Sequence, residues 1–276
     1  MTTELAGQRI AFIGSGAMAQ ALAGGLLKAG LSADQICASD PDLQQRRRFE
    51  EQLGIKPSAS NAAAVAGADI VVLAVKPGVV SRVLEALGGG EELARPLWIS
   101  IAAGVALSTL AKALPGGARI LRAMPNTPAL VGAGATALCA NAAASDSDRA
   151  AGEALFRAVG TAWVAPSETL IDAVTGLSGS GPAYVFLILE ALGDAGVRVG
   201  LPREAAYQLA FQTVYGAAKL AMESGQHPAS LKDQVTSPGG TTIAGLERLE
   251  ARGVRAALYE AVEAATARSR ELGRAG

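Results

Sequence analysis

A short glycine motif near the start of the chain constrains the fold more than any other feature. Residues 10–19, Ile-Ala-Phe-Ile-Gly-Ser-Gly-Ala-Met-Ala, place a β-branched apolar run directly before Gly14-x-Gly16-x-x-Ala19, and a helical pattern follows. In such a motif the first glycine makes a tight turn, the second admits a pyrophosphate, and the third small residue lets the helix pack closely on the strand. The phosphates then meet free N–H groups at the helix start. The motif predicts a dinucleotide-binding unit.

An acidic residue, Asp40, ends the next predicted strand, where a ribose partner belongs. Because the chain contains 33 glycines, this context is what makes the motif informative. A carboxylate there accepts the ribose hydroxyls of NAD and repels the 2′-phosphate of NADP. Arg46, Arg47 and Arg48 follow on the next helix and could pair with that phosphate, but a solvated basic helix face explains them equally well. The choice between NAD and NADP stays open.

The first half of the chain alternates short β-branched runs with helical segments, which is typical of a parallel sheet wrapped by helices. Strands are predicted at 9–14, 35–39, 69–75, 97–102, 119–123, 135–140 and 161–165. This pattern predicts an α/β fold, with a Rossmann-type domain over residues 1–165. After Pro166 the strand pattern disappears, so residues 166–276 are predicted to form an all-α domain. Pro182 and Pro202 each follow a predicted loop and mark helix starts.

Small residues alternate with larger apolar ones on one predicted helix of the second half. They are Ala206, Leu209, Ala210, Val214, Ala217 and Ala221. Such a smooth stripe lets another helix approach closely. Packing between subunits and packing within the chain are equally compatible with this spacing.

Composition excludes several classes of protein. The net charge of −1 gives no sign of the broad basic surface that binding to a nucleic-acid backbone requires, so we expect no nucleic-acid partner. Cys37 and Cys139 lack the spacing of a zinc site or a redox dithiol, and the one histidine, His227, precedes Pro228 in a polar stretch typical of a surface turn. We therefore expect no metal and no His-dependent nucleophile.

The longest uncharged run, 123–145, is too polar and broken for a bilayer span, so we expect a soluble, cytoplasmic protein.

Two glycine-rich segments each lead into a predicted helix of the second half. One is Leu177–Pro182, and the other is Ser237-Pro-Gly-Gly-Thr-Thr242, before a helix beginning near Ile243. Glycines allow close backbone approach, and hydroxyls with free N–H groups at a helix start can hold a carboxylate without an arginine. Helix capping is the ordinary explanation for Ser and Thr there, but a cap needs only one such residue. We therefore predict a small anionic substrate.

Several separate segments, spread over nearly the whole chain, form one recognisable set. These segments are 12–19, 74–77 (Ala-Val-Lys-Pro), 100–104, 122–128 (Arg-Ala-Met-Pro-Asn-Thr-Pro), 176–184, 194–196 and 237–243. Together they resemble the pyrroline-5-carboxylate reductases. The first is generic to dinucleotide folds, whereas the last, combined with Met-Pro-Asn-Thr-Pro, is specific to this family. The resemblance implies that reduced NAD or NADP gives a hydride to the imine carbon of 1-pyrroline-5-carboxylate. The product is L-proline, and this is the last step of proline biosynthesis.

The resemblance also implies site residues. To the cofactor residues predicted from the glycine motif and the acid after it (Gly14, Ser15, Gly16, Ala17, Met18 and Asp40), it adds Asn61, Val75, Lys76, Pro77, Ala102, Ala103, Gly104 and Asn126. Those implied to hold the substrate carboxylate are Ser237, Gly239, Gly240, Thr241 and Thr242. The Thr242 hydroxyl is implied to hydrogen-bond the ring nitrogen. Because a threonine is a poor general acid at neutral pH, we assign it orientation and proton relay, with water or a protonated iminium supplying the proton.

Family members assemble as dimers through the helical domain, often further into decamers, and the resemblance implies the same here. Two alternatives remain. A related imine or β-hydroxyacid reductase would have the same architecture, but the hydroxyacid enzymes rely on a catalytic lysine, and Lys219 and Lys232 lie in no recognisable motif. A non-catalytic dinucleotide sensor would have a degraded second loop, and the intact segment 237–242 argues against it.

Overall fold

The structure, a computed structural model, describes residues 3–275. They form two compact units: one comprises the residues up to Ser180 together with those from Glu263 onward, and the other is Gly181–Val262. The units divide later than the predicted domain boundary at Ala165, because Ile171 is buried in the core beneath the sheet. The boundary at 165 stays a hypothesis about functional domains.

The first unit contains one seven-stranded sheet among the described residues, and every predicted strand is present. The strands are β1 (Ile10–Ile13), β2 (Ile36–Ser39), β3 (Ile70–Leu73), β4 (Leu97–Ser100), β5 (Arg119–Met124), β6 (Gly134–Ala140) and β7 (Gly160–Val164). Their order is β2-β1-β3-β4-β5-β6-β7. The first five are parallel; β6 runs antiparallel to β5, and β7 parallel to β6. The predicted α/β class is confirmed.

Helices cover both faces of the sheet and make up the second unit. They are α1 (Ala17–Lys28), α2 (Leu43–Leu53), α3 (Asn61–Val65), α4 (Val80–Leu87), α5 (Leu107–Ala113), α6 (Asp146–Arg157), α7 (Thr169–Val174), α8 (Gly181–Arg198), α9 (Arg203–Ser224), α10 (Pro228–Gln234), α11 (Thr241–Ala251) and α12 (Val254–Ala275). Strands β1 and β3 are buried throughout, as expected of a sheet with helices on both faces.

The sheet places most of the predicted cofactor residues at one edge. The chain turns from β1 to β2 on one side and then crosses to β3 on the other, so the strand order reverses between β1 and β3. In open parallel sheets, ligands bind beyond the carboxyl ends of the strands at such a reversal. The segments after β1, β2, β3, β4 and β5 all emerge at this edge. They carry Gly14, Asp40, Val75, Ala102 and Asn126 respectively.

The segment before Pro182 differs from the prediction, because it is helical and not a loop. Residues Thr175–Gly179 form a π-helical turn between α7 and α8, and the Ser180 amide donates to the Thr175 carbonyl at 2.9 Å. A side chain at Gly179 would lie 2.7 Å from the Met124 methyl, so glycine permits the turn to pack against the end of β5. Such turns recur at functional sites. Pro202 precedes α9, as predicted.

Within the second unit, α8 and α9 pack as an antiparallel pair through small residues. Ala206 and Ala210 are buried, and a side chain on Gly196 would come within 2.9 Å of the Ala206 methyl. For these two alanines the structure shows packing within the chain. Leu209 of the same stripe is 56% exposed.

Candidate active site

Gly14 follows β1 and makes a contact that no other residue type could make. Its φ is +98°, and a Cβ atom there would lie 2.6 Å from the carbonyl oxygen of Ala74 and 3.1 Å from Val75. Its amide donates to the Ser39 carbonyl at 2.8 Å. The tight turn expected of the first glycine is therefore present, wedged between the ends of β2 and β3.

Gly16 leaves open space at the start of α1. It is the N-cap residue, and among the described residues no side chain caps the helix. Apart from its two chain neighbours, no described atom lies within 4 Å of where its Cβ would be. An uncapped helix start offers N–H groups and a positive dipole end to an anion. Ala19 is buried, so α1 can lie close to the sheet.

The Ser15 hydroxyl supports the same interpretation independently. It is fully buried, yet among the described residues it has no hydrogen-bond partner. An unpaired buried hydroxyl is costly, and a ligand phosphate at the start of α1 would supply the missing acceptor. These features fit a dinucleotide.

Asp40 lies beside the glycine loop at the end of β2. One carboxylate oxygen accepts from the Ser15 amide at 2.9 Å, and the other accepts from the Asp42 amide at 2.9 Å. The Arg46 guanidinium is held nearby, donating to the carbonyl oxygens of Asp40 at 2.6 Å and Pro41 at 3.0 Å. Asp40, the predicted ribose partner, and Arg46, one of the predicted phosphate partners, therefore lie side by side next to the glycine loop.

Asn61 also lies at the end of β2, beside the glycine loop. It is the first residue of α3, and its side-chain oxygen accepts from the Ser39 hydroxyl at 2.8 Å. The amide of Asp40 donates to the Ser58 carbonyl, which joins the segment before α3 to the end of β2. Residues on β2 and α3 are thus tied together beside the glycine loop.

The segments after β3 and β4 border a common cavity of about 410 Å³. Pro77, Ala103 and Gly104, all predicted to lie near the nicotinamide, line it. Gly104 has a φ of +76°, which suits a glycine in the turn after β4. Leu272, from the end of α12, forms another wall. No sequence pattern pointed to Leu272, because its contact depends on a chain segment far from the turn.

Asn126 is buried, and both ends of its amide bind the chain itself. Its nitrogen donates to the Ser178 carbonyl in the π-helical turn at 2.9 Å, and its oxygen accepts from the Ala135 amide at 2.8 Å. The side chain therefore fastens the π-helical turn to β6. This leaves the backbone of Asn126 as the part best suited to meet a cofactor.

In the second unit, the predicted substrate segment forms a turn at the start of α11. The Gly240 amide donates to the Ser237 carbonyl at 3.1 Å, with proline at the second position and Gly239 at the third with a φ of +67°, as in a type II turn. A side chain on Gly240 would overlap the Ser237 hydroxyl. Helix α11 begins at Thr241, close to the predicted start.

No side chain within the described residues caps α11, so ordinary capping does not explain the hydroxyls of this segment. Thr241 is exposed and Thr242 half-buried. The N–H groups at the start of an eleven-residue helix and the adjacent hydroxyls together suit a carboxylate.

Other candidate groups lie in settings that do not suggest chemistry. Burial raises the pKa of the Cys139 thiol to about 11, with the Glu168 carboxylate adding to the effect, so this thiol stays protonated at neutral pH. His227 is exposed and accepts from the Ala229 amide at the start of α10. Lys219 and Lys232 are half-exposed and lie beside carboxylates of their own helices.

Residues 3–275 contain neither a metal-binding cluster nor a membrane-spanning helix. No group of three or more His, Cys, Asp or Glu side chains there is arranged to hold a metal ion. Within the same residues, every helix is too short or too polar to span a membrane.

Large apolar side chains are exposed on α8 and α9. Examples are Phe186 (63%), Leu187 (65%) and Tyr215 (60%). A concentration of exposed apolar side chains marks a surface that binds another protein.

Comparison with known proteins identifies the family. A family model described as pyrroline-5-carboxylate reductase dimerisation matches residues 168–272, and one described as NADP oxidoreductase, coenzyme F420-dependent, matches residues 9–104. The glycine motif lies within the second match and the segment 237–242 within the first. The pyrroline-5-carboxylate reductase of Synechocystis sp. is 49% identical over 96% of this chain and 98% of its own length. That of Methanosarcina acetivorans is 48% identical over 97% and 98%.

Solved structures agree. A pyrroline-5-carboxylate reductase from Coxiella burnetii superposes with a TM-score of 0.91 at 41% identity, covering 96% of this chain and 98% of its own. The Plasmodium falciparum enzyme, solved with NADP bound, gives 0.84 at 33% identity, covering 97% and 98%. The chain therefore belongs to the pyrroline-5-carboxylate reductases, oxidoreductases that reduce a C=N bond with a nicotinamide dinucleotide.

Proposed function

We propose that this protein reduces 1-pyrroline-5-carboxylate to L-proline with NADH or NADPH, as the last step of proline biosynthesis. The observation that carries the proposal is the near-complete match to reductases of this name. The two glycine-bearing helix starts support it, because each offers uncapped N–H groups to an anion.

At the cofactor end, Gly14 and Gly16 shape the loop, and the start of α1 takes the pyrophosphate. The Ser15 hydroxyl, buried without a partner among the described residues, is available to a phosphate oxygen. Asp40 and Asn61 lie on the adenosine side. The segments Val75–Pro77 and Ala102–Gly104, with the backbone of Asn126, surround the nicotinamide. When bound, the reduced nicotinamide supplies the hydride.

At the substrate end, the type II turn over Ser237–Gly240 presents the start of α11. Its N–H groups and the hydroxyls of Ser237 and Thr241 hold the carboxylate. The Thr242 hydroxyl orients the ring nitrogen and relays a proton that water or a protonated iminium supplies, because a threonine hydroxyl is too weakly acidic to be the proton source at neutral pH.

We also propose that the protein is a homodimer, or a decamer built from dimers, through the exposed apolar side chains of α8 and α9. The family model described as dimerisation supports this assembly. Light scattering on the purified protein would measure the mass, and a monomer at micromolar concentration would contradict it.

The decisive experiment combines the purified protein with 1-pyrroline-5-carboxylate and either NADH or NADPH, and follows the absorbance of the reduced nicotinamide. We expect oxidation of at least one cofactor that depends on the imine, with proline as the product. Inactivity with both cofactors would overturn the proposed function.

The substitution Thr242→Ala tests the role of this residue. Removing a hydrogen bond to a charged group costs about 1.5–3 kcal/mol, so we expect kcat/KM to fall roughly 10- to 100-fold while the Kd of the cofactor stays unchanged. Thr161→Ala, on the exposed edge strand β7, is the matched control. A large loss of cofactor affinity in Thr242→Ala would contradict the assignment.

A further inference from the structure

Arg122 is a buried charge to which the proposed function gives no role. It lies in β5, its residue is 5% exposed, and it belongs to the family segment 122–128. Its guanidinium contacts the carboxylates of Glu168, at 2.9 Å, and Asp172, at 3.6 Å. A buried guanidinium is costly unless negatively charged partners compensate it. Glu168 and Asp172 are therefore held beside Arg122.

Glu168 extends the network to the turn after β4. The same carboxylate oxygen that meets Arg122 accepts from the Leu107 amide at 2.8 Å. Leu107 is the first residue of α5, whose own N-cap residue, Ala106, provides no side-chain cap. Glu168 therefore caps α5 from a distant part of the chain, and α5 begins three residues after Gly104.

Asp172 extends the network to α12, which packs against the same turn. Its carboxylate accepts from the hydroxyl of Ser269, at 2.8 Å, and Ser269 is buried in the C-terminal part of α12. The next turn of α12 contacts the segment after β4. A Cβ on Gly104 would lie 3.7 Å from that of Leu272, and a Cβ on Gly273 would lie 3.4 Å from the Gly104 carbonyl oxygen.

We propose that Arg122 is a positioning residue for the nicotinamide end of the cofactor. Through Glu168 it fixes the start of α5, and through Asp172 it fixes the C-terminal part of α12, so two separate contacts hold the turn Ala102–Gly104. The inference rests on the proposed function, which assigns this turn to the nicotinamide. Because a misplacement of about 1 Å can cost roughly 100-fold in rate, Arg122 controls hydride transfer through the position of this turn.

The test compares two arginines on one strand. Arg122→Met removes the network. Arg119→Met is the matched control, because Arg119 pairs with the buried Asp148 at 2.6 Å at the opposite end of β5. Nicotinamide fluorescence gives the Kd of NADH and NADPH for each variant, and steady-state turnover gives kcat together with the KM for the imine substrate.

We expect Arg122→Met to raise the Kd of the cofactor and lower kcat, each by tenfold or more, with the KM for the imine changed less than threefold. Ser269→Ala, which removes only the hydrogen bond to Asp172, gives a smaller change in the same direction. Arg122→Lys keeps the positive charge and loses less cofactor affinity and kcat than Arg122→Met. Arg119→Met lowers the melting temperature and leaves Kd and kcat within twofold of wild type.

Unchanged Kd and kcat in Arg122→Met, or equal losses in Arg119→Met, would overturn the inference. If Arg122→Met does not fold, Ser269→Ala and Arg122→Lys decide, and wild-type behaviour of both would also overturn it. The Kd of the cofactor is measured without substrate, so it tests this inference alone. The proposed function fails separately, if the wild-type protein does not reduce the imine.

Discussion

Alanine at Gly14 or Gly16 separates what the fold needs from what the cofactor needs. At Gly14 the φ is +98°, and a methyl would lie 2.6 Å from the Ala74 carbonyl oxygen. The strained conformation costs about 1–3 kcal/mol, and forcing the neighbouring strand aside costs about 1–3 kcal/mol more. Gly14→Ala should therefore lower the free energy of unfolding by about 2–6 kcal/mol.

At Gly16 the backbone is ordinary, with a φ of −69°, and apart from its chain neighbours a methyl would meet no atom of the described residues within 4 Å. Alanine restricts the unfolded chain, a gain of about 0.4–1 kcal/mol, but is a poorer N-cap than glycine. These effects offset each other, so the free energy of unfolding should stay within about 1 kcal/mol of wild type. The methyl does occupy the space assigned to the pyrophosphate, so cofactor affinity should fall at least tenfold, or about 1.4 kcal/mol.

Urea denaturation monitored by circular dichroism measures the stability of both variants, and fluorescence titration with NADH and NADPH measures their affinity. Each variant is the control for the other. Wild-type affinity in Gly16→Ala would show that the pyrophosphate does not cross this position. Wild-type stability in Gly14→Ala would refute the close approach to the end of β3.

Three other predictions concern single side chains. Asp40→Ser should move the ratio of the two cofactor dissociation constants toward NADPH, because it removes the charge that repels a 2′-phosphate; an unchanged ratio would mean that Asp40 does not face the ribose. Asn126→Ala should cost about 2–4 kcal/mol in urea denaturation, because it leaves the Ala135 amide and the Ser178 carbonyl unpaired; a loss below about 1 kcal/mol would contradict this. Burial raises the pKa of Cys139 to about 11 from 9.0, so between these pH values the unfolded thiol ionises while the folded one does not, and stability falls as pH rises. The free energy of unfolding of Cys139→Ala should fall less over this pH range than that of the wild-type protein. Parallel curves of stability against pH for the two proteins would refute the raised pKa of Cys139.

The sequence predicted the elements of the fold well because local signals specify them. Short β-branched runs marked every strand from β1 to β7, and Pro202 marked a helix start. The segment before Pro182 was the exception. Its glycines indicated a loop, but contacts with Met124 and Asn126 accommodate a π-helical turn there, and such contacts leave no periodic trace.

By itself, the sequence determined the glycine turn, the acid that follows β2, the turn before α11 and the family, because short motifs carry their own backbone geometry. Only the tertiary structure decided that the Asn126 side chain hydrogen-bonds to the protein backbone. It also decided that one network beside the turn after β4 joins Arg122, Glu168, Asp172 and Ser269. Hydrogen bonds and ion pairs between residues far apart in sequence depend on which segments pack side by side, and a motif read along one stretch of chain does not contain that information.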